Sequence, residues 1–79
     1  MISIEKAIEL YYEKFPNRVI TGVLDVGDEF VFKASEKDGE MIYASPIAID
    51  KENGTISAFF PPMNREKLKN AKEVTVTLQ

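Results

Sequence analysis

The sequence of 79 residues contains no cysteine, no histidine and no tryptophan. Without cysteine the chain has no disulfide framework, zinc ribbon or thiol nucleophile, and without histidine it lacks the commonest general base and imidazole metal ligand. It also has no nucleophile-elbow pattern and no glycine-rich phosphate loop. We therefore expect a single domain over residues 1–79 that is not an enzyme and has no catalytic residues, no cofactor and no metal.

The chain also has little positive charge and no long hydrophobic run. Its 10 lysine and arginine residues against 13 acidic residues give a net charge of −3, whereas nucleic-acid-binding domains usually carry a clear basic excess. No segment approaches the ~18 consecutive apolar residues of a membrane span. Charges between Glu5 and Lys14 interrupt the N-terminus where a signal peptide would need an apolar stretch. We expect a cytoplasmic protein that binds neither nucleic acid nor a membrane.

An amphipathic helix is predicted near the N-terminus. Ser3 is a suitable N-cap, and Pro16-Asn17 ends the helix. The apolar residues between them recur at spacings of three and four: Ile4, Ala7, Ile8, Tyr11 and Phe15. Three acids lie on the opposite side of the helix: Glu5, Glu9 and Glu13. They form either a docking surface for a basic partner or an ordinary solvated helix face, and the second interpretation is favoured.

From Arg18 onward the hydrophobic pattern changes to the period of two that is typical of strands. In the first predicted strand one face carries Ile20, Gly22, Leu24 and Val26, and the other carries Val19, Thr21, Val23 and Asp25. In the second strand Phe30, Phe32 and Ala34 alternate with Glu29, Val31 and Lys33. A third strand is predicted from Met41 to about Ile49, and a fourth from Thr55 to Phe60.

Turn signals separate these strands. Gly27-Asp28, Asp38-Gly39 and the segment Asp50–Gly54 each combine residues that favour tight turns. Pro46 lies within the third predicted strand, and because proline cannot donate to a sheet ladder, it predicts an edge position or a local bulge. Pro61-Pro62 ends the fourth strand.

The last part of the chain switches back to a short helix. Asn64 is its predicted cap, and Met63 is expected to pack against Leu68 as a hydrophobic staple. A closing strand then carries Val74, Val76 and Leu78. The predicted order is α-β-β-β-β-α-β. Short turns between consecutive strands predict an antiparallel meander of four to five strands on which the N-terminal helix packs, so the fold class is α+β.

The segment Phe59-Phe60-Pro61-Pro62-Met63 is the strongest candidate for a binding surface. If Phe60 points inward with Ile56 and Ala58, then Phe59 faces outward beside two prolines and a methionine, a composition suited to contact with another protein. The alternative is that the C-terminal helix and strand fold over Phe59 and bury it. This alternative is slightly favoured, because so small a chain needs most of its aromatic residues for its own core.

A carboxylate cluster is the candidate metal site. Asp25, Asp28 and Glu29 surround the first predicted hairpin, and Asp38 or Glu40 from a neighbouring turn could join them around a hard cation. Acidic residues also occur in tight turns because they cap and stabilise them, and this second interpretation is favoured.

Three motifs stand out in the chain: Phe15-Pro16-Asn17, Asp25-x-Gly27-x-x-Phe30-Val31-Phe32, and Ile49-Asp50-Lys51-x-x-Gly54-x-Ile56-x-x-Phe59-x-Pro61. Together they resemble small uncharacterised proteins of Gram-positive bacteria and their phages or prophages. More distantly, Tyr43-x-Ser45-Pro46 with Asp50-Lys51-x-x-Gly54-x-Ile56 is similar to PepSY-type domains and to the immunity-protein-35 family. The resemblance implies a helix packed on an antiparallel meander, and it carries over no catalytic residue.

The missing catalytic residues and the aromatic-proline segment predict a small non-enzymatic protein-binding module, and the resemblance implies that a phage or prophage encodes it. Its candidate contact residues are Phe59, Pro61, Pro62, Met63, Glu5, Glu9 and Glu13. One alternative is an immunity-type inhibitor that binds a basic toxin or host enzyme through the three acids of the helix. A second is a minimal metal-binding protein or enzyme that uses the carboxylate cluster. Because an open sheet leaves two edges, a homodimer formed through a sheet edge is a further expectation.

Overall fold

A computed structural model describes residues 1–36 and 46–75. Within these ranges the elements are α1 (Ile4–Lys14), β1 (Arg18–Asp25), β2 (Glu29–Glu36), β3 (Ile47–Asp50), β4 (Ile56–Ala58), a 3₁₀ turn (Pro61–Met63), α2 (Arg65–Lys69) and β5 (Lys72–Glu73). The strands form one antiparallel sheet in the order β4-β3-β2-β1-β5. The predicted α+β class and element order are therefore confirmed. The predicted Asp38-Gly39 turn, residues 41–45 of the third predicted strand, Val76 and Leu78 lie outside the described residues.

α1 begins and ends where the sequence predicts. The Ser3 hydroxyl accepts a hydrogen bond from the Lys6 N–H at 3.1 Å and so caps the helix. The buried residues of α1 are Ala7 and Tyr11, and the Tyr11 ring stacks on Phe32 of β2 with centroids 5.2 Å apart. α1 thus covers one face of the sheet, which we call the helix face. The core on this face consists of Ala7, Tyr11, Ile20, Val23, Phe30, Phe32 and Ile49.

β1 contains a β-bulge that the alternating pattern does not predict. Ile20 pairs with Ala34 of β2, yet Gly22 pairs with Lys33, the neighbour of Ala34. Thr21 is therefore an extra residue on β1, and two residues of this strand oppose one residue of β2.

The bulge reverses the alternation of every later side chain on β1. Val23 joins Ile20 on the helix face, where both are 3% exposed. Leu24 and Val26 lie on the opposite face. The predicted grouping of Ile20 with Leu24 and Val26 is therefore wrong, because a strict period of two holds only where no residue is inserted.

β3 is an inner strand, and the edge position predicted from Pro46 is wrong. The strand begins at Ile47, after the proline, and it pairs with β2 on one side and β4 on the other. Pro46 contributes its carbonyl, which accepts the N–H of Phe59 at 2.8 Å. Since only the missing N–H of proline is incompatible with a ladder, its carbonyl can still bond to a neighbouring strand.

The turn between β3 and β4 follows the prediction. The Asp50 carboxylate accepts the N–H groups of Glu52 and Asn53 at 2.8 and 3.2 Å, an arrangement that aspartate commonly makes in turns. Gly54 has φ of +74°, a left-handed conformation that glycine adopts without steric cost. A Cβ at this position would lie 3.0 Å from the Leu10 side chain of α1.

The face of the sheet opposite α1 has a small core of its own. Val31, Ala48 and Phe59 are buried there, and Leu68 of α2 packs against them. Phe59 is 3% exposed, whereas Phe60 is 51% exposed. The favoured interpretation, in which the C-terminal helix folds over Phe59 and buries it, is therefore confirmed, and the interpretation in which Phe59 faces outward is wrong. Adjacent residues point to opposite faces as expected, and Leu68 of α2 packs on the face that carries Phe59.

The connection into α2 lacks the predicted staple. Met63 is 83% exposed, so it does not pack on Leu68. Asn64 occupies the N-cap position, but its side chain makes no capping hydrogen bond to α2. It instead donates from Nδ2 to the Phe60 carbonyl at 2.9 Å. The asparagine thus stabilises the turn before the helix.

The different burial of two adjacent phenylalanines gives a matched pair for measuring stability. Phe59→Ala is expected to lower the free energy of unfolding by about 3–5 kcal/mol, because it opens a cavity beneath α2. Phe60→Ala removes an exposed ring and is expected to change it by less than about 0.5 kcal/mol. Urea denaturation followed by circular dichroism measures both. Equal losses for the two variants would contradict the burial of Phe59.

Candidate functional site

The largest exposed apolar feature of the described chain follows β4. It consists of Phe60, Pro61, Pro62 and Met63, which we call the Phe60–Met63 patch, and all four residues are exposed. Phenylalanine and methionine are among the residues most often buried in proteins, and aromatic residues and methionine are enriched where proteins contact each other. The patch contains three of the predicted contact residues: Pro61, Pro62 and Met63. The predicted contact residue Phe59 is buried, and its neighbour Phe60 is exposed.

Local hydrogen bonds restrain the backbone of the patch. The Met63 N–H donates to the Phe60 carbonyl at 3.0 Å, and the Asn64 N–H donates to the Pro61 carbonyl at 3.1 Å. The Asn64 side chain adds a second bond to the Phe60 carbonyl. The two prolines also have fixed φ angles. Binding through this surface would therefore cost little backbone entropy.

The patch adjoins the open edge of β4. The Asp50 N–H donates to the Thr55 carbonyl, and the Phe59 N–H donates to the Pro46 carbonyl. The backbone groups of Thr55 and Phe59 therefore point toward β3. Backbone groups of an antiparallel strand alternate in direction, so those of Ile56 and Ala58 point away from β3. No strand pairs with this edge among the described residues. The edge therefore offers unpaired backbone donors and acceptors next to exposed apolar side chains.

The three acids of α1 form a second, separate surface. Glu5, Glu9 and Glu13 are all exposed, on the side of the helix away from Ala7 and Tyr11. Lys6 lies 3.5 Å from Glu9, and both side chains are at least half exposed, so this pair contributes little to stability. The placement agrees with the sequence-based expectation and does not distinguish a docking face from a solvated one.

The carboxylates of the first hairpin are paired with lysines from elsewhere in the chain. Lys51 Nζ lies 2.7 Å from Asp25 and 4.8 Å from the centre of the Phe30 ring. The Lys51 N–H donates to the Asp28 carbonyl, and the Lys51 carbonyl accepts the Ile2 N–H. One residue thereby connects the β3–β4 turn, the β1–β2 hairpin and the segment before α1.

α2 is joined to the same hairpin by Lys67. Its ammonium lies 2.8 Å from Glu29 and 3.3 Å from Asp28. These contacts raise the pKa of Lys67, chiefly through the hydrogen bond to Glu29. Hydrogen bonds from the Lys51 ammonium and then from the Gly27 N–H lower the pKa of Asp25.

The sequence reasoning missed both lysines as partners of the carboxylate cluster. Lys51 is 26 residues from Asp25, and Lys67 is 38 residues from Glu29, so no local spacing indicates either pair. Among the described residues no group of acids has the arrangement of a metal site. Asp38 and Glu40, the other predicted members, lie outside the described residues.

A concavity of about 320 Å³ opens beside this cluster. Its lining residues are Asp25, Val26, Gly27, Lys51, Asn70 and Lys72. The carboxylate of Asp25 is already hydrogen-bonded to Lys51 and to the Gly27 N–H. The hydrogen bonds in the lining thus join the first hairpin to the β3–β4 turn.

Comparisons with known proteins found no matching family model, no matching curated protein and no matching solved structure. Among the described residues no helix has the length and apolar composition needed to cross a membrane. The resemblance to small proteins of Gram-positive bacteria and their phages stays a prediction. The functional interpretation consequently depends on the geometry of the surfaces described above.

The Asp25–Lys51 pair gives a pH-dependent contribution to stability. Because folding lowers the pKa of Asp25, the pair stabilises the fold above the unfolded value of about 3.9 and loses its effect as the pH falls through the lower folded value. Asp25→Asn should therefore be less stable than the wild type at neutral pH, with a difference that shrinks below about pH 4.

Chemical denaturation at a series of pH values measures this difference. Glu13→Gln is the control, since Glu13 is exposed and makes no ion pair among the described residues. This variant is expected to follow the wild type throughout. A difference between Asp25→Asn and wild type that stays constant down to the acid end would contradict the role of the ion pair.

The attachment of α2 can be tested by hydrogen exchange. Lys67→Met should remove about 0.5–1 kcal/mol from the local stability of α2, because the ion pairs are partly exposed. The amides of Leu68 and Ala71, which bond to Asn64 and Leu68, should then exchange roughly two to five times faster. Lys69→Met, on the same helix but without an ion pair in the described structure, should leave these rates unchanged. Equal acceleration in both variants would show that the Lys67 contacts do not hold the helix.

Proposed function

We propose that this protein is a small non-enzymatic binding module of the cytoplasm, encoded by a phage or prophage, that docks onto a protein partner through the Phe60–Met63 patch. The observation that carries the proposal is the exposure of Phe60 and Met63, at 51% and 83%, beside a sheet edge with which no other described strand pairs. The chain contains five phenylalanines and three methionines. Leaving two of them in water within four residues disfavours solubility unless a partner covers them.

The geometry of the patch suits recognition. Phe60 and Met63 supply apolar area of the kind that dominates binding energies in interfaces, and the fixed φ angles of Pro61 and Pro62 restrict the backbone between them. The open β4 edge beside them can add hydrogen bonds to an extended segment of the partner. Against catalysis stand the lack of histidine and cysteine and the pairing of the hairpin carboxylates with Lys51 and Lys67.

A second candidate function is an immunity-type inhibitor that uses Glu5, Glu9 and Glu13. The observation that favours it is the exposure of all three side chains on one side of α1. A basic patch on a toxin or host enzyme would complement this charge and associate faster at low ionic strength. The acidic surface and the Phe60–Met63 patch lie on different elements, so substitutions can test them separately.

Affinity capture with substituted baits tests the docking surface. The immobilised protein is incubated with lysate of the source cell, and bound proteins are quantified by mass spectrometry. The double variant Phe60→Ser, Met63→Ser is expected to lose at least about tenfold in recovery of a specific partner, because interface anchors commonly contribute more than 1.4 kcal/mol. Both substitutions are at exposed positions, so the fold should persist, which circular dichroism checks.

Val19→Ser is the matched control, since Val19 is an exposed apolar residue on β1, outside the patch. Its partner profile should equal that of the wild type. A third bait carries Glu5→Lys, Glu9→Lys and Glu13→Lys. If only this charge reversal removes a partner, the acidic surface is the docking site and the proposal for the Phe60–Met63 patch fails.

A further inference from the structure

The two edges of the sheet differ in their protection against pairing. β5 carries Lys72 and Glu73, both exposed and charged, and charged side chains are a common device that keeps an edge from pairing. β4 consists of Ile56, Ser57 and Ala58 and carries no charge. The β4 edge is therefore the one suited to strand addition.

We propose that β4 pairs with β4 of a second copy of this chain about a two-fold axis, joining two five-stranded sheets into one continuous sheet. This inference deepens the proposed function, because it names a second copy as the chain that covers the open edge beside the Phe60–Met63 patch. An antiparallel pair of identical strands is compatible with two-fold symmetry, since each strand presents the same groups to the other.

The backbone directions limit the register of this pair. The outward groups belong to Ile56 and Ala58, and Phe60 continues in an extended conformation with φ of −101° and ψ of 103°. With the axis at Ala58, this residue exchanges both backbone hydrogen bonds with Ala58 of the second copy. Phe60 of each chain then lies opposite Ile56 of the other. An aromatic residue opposite a β-branched residue is a stabilising cross-strand pair.

Side-chain size and exposure agree with this register. Ala58 is exposed and small, which suits the point where two identical residues meet. Phe60 is half exposed in the single chain and gains a partner in Ile56 of the second copy. The pairing would thus cover the largest apolar side chain at this edge, so that the second copy and a different protein compete for Phe60.

The charges beyond the ends of β4 are complementary under the same symmetry. The turn before β4 exposes Glu52, and the segment after it leads to the exposed Arg65 at the start of α2. Neither side chain forms an ion pair among the described residues. Antiparallel pairing brings the beginning of one β4 near the end of the other. Each Glu52 therefore approaches the side of the second copy that carries Arg65, and this opposite charge favours the pairing.

The short length of β4 predicts a weak dimer. Three residues and their flanking side chains cover less than the ~1,200 Å² that marks the lower end of stable interfaces. We therefore expect a reversible equilibrium that depends on protein concentration. Sedimentation velocity of the purified protein from micromolar to millimolar concentration should show the weight-average mass rising toward twice that of the monomer.

Two variants examine the strand pairing directly. Ala58→Pro removes an outward N–H that the dimer needs but no bond between β3 and β4, so the variant should stay monomeric at every concentration. Phe60→Ser should weaken the dimer at least about tenfold, while Val19→Ser should leave it unchanged. If Ala58→Pro fails to fold, Phe60→Ser and the cross-link below still decide the question.

The absence of cysteine from the chain allows a single-cysteine reporter. Hydrogen-bonded residues of an antiparallel pair have Cα atoms about 5.5 Å apart, within the range of about 4.4–6.8 Å that a disulfide spans. Under mild oxidation Ala58→Cys should therefore form a covalent dimer much faster than Val19→Cys, as read from a non-reducing gel.

A wild type that is monomeric at millimolar concentration, with equal cross-linking of the two cysteine variants, overturns the dimer proposal. The proposed function is judged independently by affinity capture. If Ala58→Pro still recovers a partner that Phe60→Ser, Met63→Ser loses, the binding surface stands without the dimer. If the dimer forms but no partner depends on the patch, the proposed binding function fails while the dimer stands.

Discussion

The extra residue at Thr21 in β1 is the constraint on which the two-sided core depends. The bulge turns Val23 toward α1 and sends Leu24 and Val26 to the opposite face. That face then carries enough apolar area to require a cover of its own. Phe59 and Leu68 supply the cover, and α2 must cross the sheet to bring Leu68 there. The connection from β4 at one edge to β5 at the other follows from this requirement.

The exposure of Phe60 is a consequence of the burial of Phe59. Neighbouring residues in extended chain point to opposite sides, so only one of the two rings can enter the core beneath α2. The chain turns at Pro61 directly afterwards, which places Phe60 and Met63 outside the sheet and fixes them there. The same short segment thus supplies a core residue and a surface for recognition. Both roles depend on which of the two adjacent phenylalanines faces α2.

Ion pairs connect the parts of the chain that the apolar cores leave loosely attached. α2 has only five residues, too few for a stable isolated helix. Leu68 anchors it on the sheet, and Lys67 attaches it to the first hairpin. Lys51 does the same for the β3–β4 turn. The acids that suggested a metal site at the level of sequence therefore have a structural role as partners of these lysines.

The sequence by itself determined the features that depend on neighbouring residues: the cap and stripe of α1, the alternation in β2, the turns at Gly27 and Gly54, and the α+β class. Local sterics and periodicity are sufficient for these, and that part of the fold could be predicted. Only the tertiary structure decided the bulge at Thr21, the inner position of β3, the burial of Phe59 in place of Phe60, and the partners of Lys51 and Lys67. These depend on contacts between residues far apart in the chain and on which faces of the sheet are covered. A local pattern therefore located the candidate binding segment, but only packing on both sides of the sheet decided which of its side chains faces a partner.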